Sequence, residues 1–179
     1  MNEITLPRRD YLEEIEEEAL EKFLEMAAPH IGRIVMEFNS LEAYVDFCSK
    51  EILSSSEVND DLVYVYLTEM MYSSKVAALM NLYGQINEYC NLELSEKLLE
   101  LEKSLRESAK RRNQYAHGNW YGFAEGYVHV HTKAKRNGVY SVYRKFDEET
   151  MKSDLEFIEN TMVELDEFNE KFNEKLHYQ

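Results

Sequence analysis

Apolar residues repeat at helical spacing over most of this chain, and this periodicity limits the fold more than any other feature. Between residues 148 and 176, apolar positions recur every three or four residues for nearly the whole segment: Met151, Leu155, Ile158, Met162, Leu165, Phe168, Phe172 and Leu176. So long a narrow stripe favours antiparallel packing in a helical bundle or between subunits. The low content of two prolines and six glycines in 179 residues also suits long helices.

The same periodicity predicts four earlier helices, over about 10–27, 31–53, 62–89 and 94–116, with Pro29 ending the first. The third is apolar on several sides, so we expect it to be the most buried. After residue 118 the pattern changes, because residues 127–131 and 139–143 alternate with period two around Asn137-Gly138, a strong hairpin signal. The sequence therefore predicts one domain over residues 1–179. Its fold class would be all-α, an antiparallel bundle of about five helices, with one β-hairpin at about 119–146 inserted before the last helix.

The segment from Lys110 to Gly118 combines residue types that suit phosphate chemistry. Arg112 and His117 are five positions apart at the end of the fourth helix, and Asn113 directly follows the arginine. Arginine binds phosphate through a rigid fork of donors, and histidine transfers protons near neutral pH. The structural alternative is a basic helix end that opposes the helix dipole.

The apolar stripe of the fourth helix runs into this segment. It consists of Leu94, Leu98, Leu101 and Leu105 and continues at the same spacing to Ser108, Arg112 and Tyr115. Arg112 is therefore expected on the face that its helix buries, where a guanidinium needs a partner or a purpose. Gly118 is expected to end the helix, with His117 in the last turn or just past it, where the chain can bring the ring back beside Arg112 and Asn113 can hydrogen-bond to it.

The motif Arg112-Asn113-x-x-Ala116-His117-Gly118 resembles the Arg-x4–6-His signature of HEPN domains, which are small all-helical nucleotide- or RNA-binding domains. Many members have Asn directly after the Arg. The segment Ile31–Glu42, with its Gly-Arg-Ile opening and its Leu-Glu pair, is similar to the long early helix of such proteins. The resemblance covers roughly residues 30–120.

This resemblance implies a metal-independent endoribonuclease that needs no cofactor, in which the ribose 2′-hydroxyl attacks and the two motifs of a homodimer share one cleft. By position, His117 would be the general base or acid, and Arg112 would hold the scissile phosphate. Asn113 would orient His117 or a phosphate oxygen. Lys110 and Arg111 would steer the RNA backbone. No Gly-x4-Gly-Lys loop is present, and the basic part of the chain has no cluster of metal-binding carboxylates.

The resemblance also implies a toxin or phage-defence effector with an antitoxin protein as a partner. Asn119 stands where one subgroup of the family has a tyrosine, so pairing with a nucleotidyltransferase antitoxin is not implied. Many HEPN relatives are thought to be inactive. A non-catalytic module that binds a nucleotide or RNA, or a structural or inhibitory partner, therefore stays open as an alternative function.

Charge is distributed unevenly along the chain, whose net charge is −15. Residues 10–25 carry eight acids and one lysine, and residues 147–174 carry eleven acids and two lysines. Residues 103–145 instead carry ten Lys or Arg against two acids, a local charge of +8. Because salt screens charges beyond about 8 Å, local charge decides polyanion binding, so we expect this basic segment to contact single-stranded RNA. The alternative is that it pairs with the acidic flanks.

Two pairs of residues after the motif have open interpretations. Trp120 and Tyr121 either stack on an RNA base or plug the base of the hairpin. His129 and His131 share a strand face, a spacing that can bind metal, but no third ligand is evident nearby and we predict no metal site. With no run of eighteen apolar residues and no apolar signal core, we expect a cytoplasmic protein without a membrane span.

Overall fold

The computed structural model describes residues 3–10, 12–13, 15–54, 57–123 and 126–177, with all their side chains except those of 57–59 and 177. This part of the chain is mostly helical and contains one small antiparallel sheet. The elements are β1 (Glu3–Pro7), α1 (Glu17–Leu53), α2 (Glu57–Thr68), α3 (Tyr72–Cys90), α4 (Ser95–His117), β2 (Asn119–Phe123), β3 (Tyr127–Lys135), β4 (Gly138–Lys145) and α5 (Glu148–His177). No helix in these ranges is long and apolar enough to span a bilayer.

The helices and strands in the second half of the chain lie close to their predicted positions. The helices expected over 94–116 and 148–176 are α4 and α5, and the expected hairpin is β3 and β4. The prediction of a mostly helical protein is confirmed, but that of a single hairpin was wrong, because two further strands extend it. β1 pairs with β4 and β2 pairs with β3, which gives a four-stranded antiparallel sheet of order β1-β4-β3-β2. Residues 124 and 125 of the predicted hairpin region lie outside the described residues.

Pro29 does not end a helix, contrary to prediction. α1 runs from Glu17 through Pro29 to Leu53, so the two helices expected over 10–27 and 31–53 are one element that begins later than expected. Proline has no N–H and loses one bond of the helical ladder. Ala27 and Ile34, on either side of the proline, are fully buried. Burial on both sides offsets the lost hydrogen bond and keeps the helix continuous.

The helix expected over 62–89 is divided into α2 and α3. The division lies at residues 69–71, and Met71 has extended backbone angles of φ −70° and ψ 149°. α3 is the buried helix, with Val76, Leu79 and Tyr83 fully enclosed. α2 exposes more than half of its Leu62 and Val65 side chains, so only the second part of the predicted helix belongs to the core.

The chain is divided into two compact units, each made of two separate segments. The first comprises Met1–Met36 and Lys110–Glu156, and contains the sheet and the motif. The second comprises Glu37–Ala109 and Phe157–Gln179. A single domain over the whole chain stays a prediction.

The second unit has an aromatic core with polar side chains that are satisfied internally. The Tyr83 ring packs edge-on against Phe168 and Phe172, with centroids 4.9 and 4.7 Å away, and its hydroxyl donates to Asn169 Oδ1 at 2.7 Å. The buried Lys75 ammonium lies 2.8 Å from a carboxylate oxygen of Asp46 and 3.0 Å from one of Glu42.

The first unit is built around the sheet. β1 is in register with β4 from Glu3 opposite Arg144 to Pro7 opposite Tyr140. The sheet contributes buried valines, Val128 on β3 and Val142 on β4. Phe146, which directly follows β4, is also buried, and its N–H donates to the carbonyl of Gly126 at 2.9 Å. This unit positions the last two turns of α4.

Candidate functional site

The motif occupies the C-terminal turns of α4, which ends at His117 as the sequence predicts. The N–H of Gly118 donates to the carbonyl of Gln114 at 3.0 Å and closes the last turn. A Cβ at position 118 would lie 2.5 Å from that carbonyl oxygen, so a side chain there would force the backbone to shift. Glycine at this position therefore sets the point at which the chain leaves the helix for β2.

Arg112 is half-buried and its Nε atom is buried, as expected for a residue on the apolar stripe. Ser108 and Tyr115 on the same stripe are fully or almost fully buried. Asn113 and His117 are exposed. The guanidinium therefore comes from the buried side of α4, whereas the imidazole and the amide face solvent.

His117 lies in the last turn of α4, which is one of the two positions that the sequence predicts for it. His117 is still helical, so the chain does not turn back at this residue to bring the ring beside Arg112. Residues five apart on a helix point in directions about 140° apart, since each residue turns the helix by about 100°. In the part of the chain that the structure describes, no hydrogen bond joins Asn113 to His117. The imidazole is thus accessible but is not oriented by its own helix.

Arg111 has a structural role instead of lying on an open basic surface. Its Nη1 donates to Asp154 Oδ1 at 3.1 Å, and Arg144 Nη2 lies 2.7 Å from Asp154 Oδ2. The Asp154 side chain is only 3 % exposed. We therefore correct the assignment of Arg111 to RNA steering, because its charge already neutralises a buried carboxylate.

Asp154 also accepts a hydrogen bond from the Tyr115 hydroxyl at 2.7 Å. Burial raises the pKa of Tyr115, and the Asp154 charge raises it further, so the phenol stays a donor. Gln114 extends the network, since it accepts from Arg144 and donates to Glu3 at 2.9 Å. Side chains from β1, α4, β4 and α5 thus meet in one hydrogen-bonded network at the end of α4.

Sequence reasoning missed Asp154, although a signal for it exists. The residue lies three positions after Met151 and four before Ile158, on the apolar stripe of α5. A carboxylate at such a position needs a buried partner. The sequence does not say which of the ten basic residues in segment 103–145 supplies it.

Trp120 packs inside the first unit. Its ring centroid lies 5.0 Å from that of Phe146, 5.9 Å from that of Tyr115 and 6.1 Å from that of Phe23. Its Nε1 donates to the carbonyl of Tyr115 at 2.9 Å. Of the two interpretations, the structure therefore favours plugging the sheet, and we withdraw Trp120 as an RNA-stacking residue. Tyr121 remains 72 % exposed and accessible.

His129 and His131 are half-buried on β3. Burial lowers the pKa of both rings, and the charge of Lys133 lowers that of His131 further, so the neutral form of each is favoured. His129 Nε2 lies 3.2 Å from the Thr132 hydroxyl. Over the described ranges, no group of three or more His, Cys, Asp or Glu side chains is arranged to hold a metal ion.

A cleft of about 410 Å³ opens beside the Asp154 network. Its charged lining residues are Arg111, Arg144, Asp147, Glu149 and Asp154. The acids outnumber the arginines, and both arginines already contact Asp154. The cleft is therefore a poor phosphate site, and the exposed surface around Lys110 and His117 is the better candidate.

In comparisons with known proteins, no protein-family model, no curated protein and no solved structure matched this chain. The functional interpretation therefore depends on the motif and its surroundings alone.

Proposed function

We propose that this protein is a metal-independent endoribonuclease of the HEPN type, built on a helical bundle, with Arg112 and His117 as its reactive pair. The observation that carries the proposal is that residues at the end of α4 have two different roles. Arg111, Gln114 and Tyr115 are held in hydrogen bonds that maintain the fold, whereas His117 is exposed. The imidazole is thus left to solvent, while its neighbours on α4 fix the end of the helix.

In the proposed reaction His117 transfers protons, whereas Arg112 and Asn113 bind the phosphate group. His117 of the active site takes the proton of the ribose 2′-hydroxyl or supplies one to the leaving 5′-oxygen. The 2′-oxygen attacks phosphorus and the bond to the 5′-oxygen breaks, which leaves a 2′,3′-cyclic phosphate and a 5′-hydroxyl. Arg112 holds the non-bridging oxygens and offsets their developing charge, and Asn113 binds a phosphate oxygen.

The helical spacing of the pair supports a site shared between two copies of the chain. Because Arg112 and His117 diverge around α4, one helix does not direct both groups at one phosphorus atom. We propose a symmetric homodimer in which the arginine of one copy faces the histidine of the other. Light scattering at tens of micromolar should give the mass of a dimer. A monomer at that concentration would argue strongly against the shared site.

The test of the chemistry compares wild type with His117→Ala on mixed single-stranded RNA in EDTA. We expect the variant to fold and to lose about a hundred- to ten-thousand-fold in cleavage rate, the contribution of a general acid or base. His30→Ala, which removes a half-buried histidine of α1, is the matched control and should keep activity. Cleavage that survives His117→Ala, or that disappears in EDTA, would refute the proposal. RNA binding without any cleavage would favour the non-catalytic module instead.

Mixing two inactive variants tests the shared site directly. In a heterodimer of Arg112→Lys and His117→Ala chains, one of the two shared sites is intact, so random mixing should restore about a quarter of the activity. If each chain carried its own complete site, mixing would restore none of the activity.

The proposed role as a toxin or phage-defence effector, with an antitoxin protein as partner, predicts growth arrest on expression of wild type but not of His117→Ala.

A further inference from the structure

The hairpin end of the sheet gathers basic residues from two distant segments of the chain. β1 ends at Pro7 opposite Tyr140, and the N–H of Arg8 donates to the carbonyl of Val139 at 2.9 Å. This pairing places Arg8 and Arg9 beside the β3–β4 turn. We call the basic residues here the hairpin-end patch: Arg8, Arg9, Lys133, Lys135 and Arg136, all of which are exposed.

The patch surrounds an aromatic ring and a groove. Lys133 lies opposite Tyr140 across the β3–β4 pair, and Lys135 Nζ is 5.1 Å from the centroid of the Tyr140 ring. A groove of about 680 Å³, lined by residues 7–9 and 137–140, opens at this point. Asp10 is the one acid in the adjoining turn, against the five cations of the patch.

Strands β1 and β3 connect this end of the sheet with the motif helix, whose Gln114 Nε2 donates to Glu3 Oε1 at 2.9 Å. His131 lies two residues before Lys133 on β3, and alternate strand residues share a face. Besides burial, the charge of Lys133 lowers the pKa of His131, and the Glu3 carboxylate and the Lys110 ammonium act on the same ring with opposite signs. From His131 to Lys135 the strand advances about 13 Å. The hairpin-end patch thus lies on the same sheet as Glu3, which the motif helix contacts, but at the opposite end of β1.

We propose that the hairpin-end patch binds the phosphate backbone of a single-stranded RNA at nucleotides away from the one held at Arg112 and His117. The identity of the polyanion rests on the proposed function. A basic groove that contains an aromatic side chain is the combination with which proteins bind single-stranded nucleic acid without reading its sequence. Guanidinium groups such as those of Arg8 and Arg9 match phosphate oxygens well.

The patch includes two arginines, Arg8 and Arg9, that lie outside the basic segment of the sequence. Arg8 and Arg9 precede the acidic stretch of residues 10–25 and lie far from the basic segment 103–145. Only the pairing of β1 with β4 brings them to the hairpin. They are therefore the sharpest probes of this surface, since no argument from local sequence would select them.

The experiment measures RNA affinity against salt concentration in chains that cannot cut. In the His117→Ala background, a labelled single-stranded RNA is titrated in EDTA between about 50 and 200 mM salt, and affinity is followed by fluorescence anisotropy. Each lost phosphate contact on a single strand reduces the slope of log affinity against log salt by about 0.7, so Arg8→Gln with Arg9→Gln should reduce it by about 1.4.

The matched control is Lys22→Gln with Lys152→Gln, which removes the same charge from the first unit. These side chains are 72 % and 64 % exposed and pair with Glu18 and Glu148 on helix surfaces. The control should leave the slope unchanged. An equal change in both double variants would show an effect of net charge and overturn the proposal, as would an unchanged slope in Arg8→Gln with Arg9→Gln.

Two further outcomes separate this inference from the proposed nuclease. If the arginine variant changes the oligomeric state by light scattering but not the RNA affinity, the patch contacts an acidic helix of a second copy, and the inference is wrong. Cleavage by wild type is assayed in parallel. A reduced slope with no wild-type cleavage would keep the RNA-binding patch and refute the nuclease, whereas cleavage with an unchanged slope would refute the patch alone.

Discussion

The Tyr115 hydroxyl donates to the Asp154 carboxylate at 2.7 Å, and this contact joins the end of α4 to the beginning of α5. Tyr115 is 1 % exposed and Asp154 is 2 % exposed. Arg111 and Arg144 bind the same carboxylate from two other directions. The end of α4, which carries the motif residues, is therefore fixed by a charged network centred on a buried carboxylate.

Removing the Asp154 charge should destabilise the protein strongly. In Asp154→Asn two arginines, whose side chains are 23 % and 15 % exposed, lose their shared counter-charge. Because breaking a buried ion pair costs about 3–5 kcal/mol and these arginines are partly exposed, we expect a loss of about 3 kcal/mol in urea unfolding at pH 7. Glu102→Gln, which breaks an exposed pair with Arg106, should cost at most about 0.5 kcal/mol. A cost for Asp154→Asn no greater than this control would contradict the network.

Substitutions of the neighbouring Lys110 and Arg111 should have different effects, one mainly on RNA binding and the other mainly on stability. Arg111→Gln removes the 3.1 Å contact with Asp154, so we expect a lower urea midpoint and little change in the salt slope of RNA affinity. Lys110 is exposed, so Lys110→Gln should lower the midpoint less than Arg111→Gln and should reduce the slope by about 0.7. Both variants lose one charge. The reverse assignment of effects would mean that Arg111, not Lys110, contacts the RNA.

Asp147 should stabilise the beginning of α5 in a pH-dependent way. Its Oδ1 accepts from the Thr150 N–H at 2.8 Å, and hydrogen bonds from the Thr150 hydroxyl and N–H lower the pKa of this carboxyl. Asp147→Ala should therefore cost about 1 kcal/mol at pH 7. A depressed pKa means that the charge-dependent contribution is complete above the ordinary value of 3.8 and is lost as pH falls through the lower folded value.

Asp147→Asn provides the control for charge, because asparagine caps helices about as well as aspartate. The difference in unfolding free energy between wild type and Asp147→Ala, measured in urea, should shrink between about pH 5 and pH 2. The difference between the Asn and Ala variants should stay constant over that range. A difference from Asp147→Ala that grows on acidification would contradict the sign of the pKa shift.

Two glycines should respond in opposite directions to alanine. Gly126 has φ +78°, and a Cβ there would lie 2.9 Å from the Phe146 carbonyl oxygen, so Gly126→Ala should cost about 2 kcal/mol. Gly32 is inside α1, and a Cβ there would meet no heavy atom within 4 Å, so Gly32→Ala should add up to about 1 kcal/mol. Urea midpoints measure both, and stabilisation by Gly126→Ala would contradict the positive φ at this residue.

Local periodicity was enough to predict α4, α5 and the β3–β4 hairpin, because each contains its complete signal within a short stretch of sequence. Pro29 was misjudged because its cost was weighed alone, whereas burial of Ala27 and Ile34 keeps α1 continuous. β1 was missed because its five residues gain their hydrogen bonds from a strand near the other end of the chain.

The same limit applies to the candidate site. The half-burial of Arg112 follows from the stripe of its own helix. The structural role of Arg111 does not, because its partner Asp154 comes from α5. Trp120 was ambiguous for a similar reason, since the rings that enclose it come from α1, α4 and the end of β4, and these rings decide between packing and stacking.

The pairing of β1 with β4 has a consequence for the order in which the protein is made. Residues 3–7 leave the ribosome long before their partner strand, which ends only at Lys145. Closing the sheet is therefore a late and non-local step of folding. Glu3 reaches Gln114, and Arg144 reaches Asp154, only when this step is complete. A nascent chain that stops before β4 contains the whole Arg112–His117 segment but lacks the anchors that hold its helix end in place.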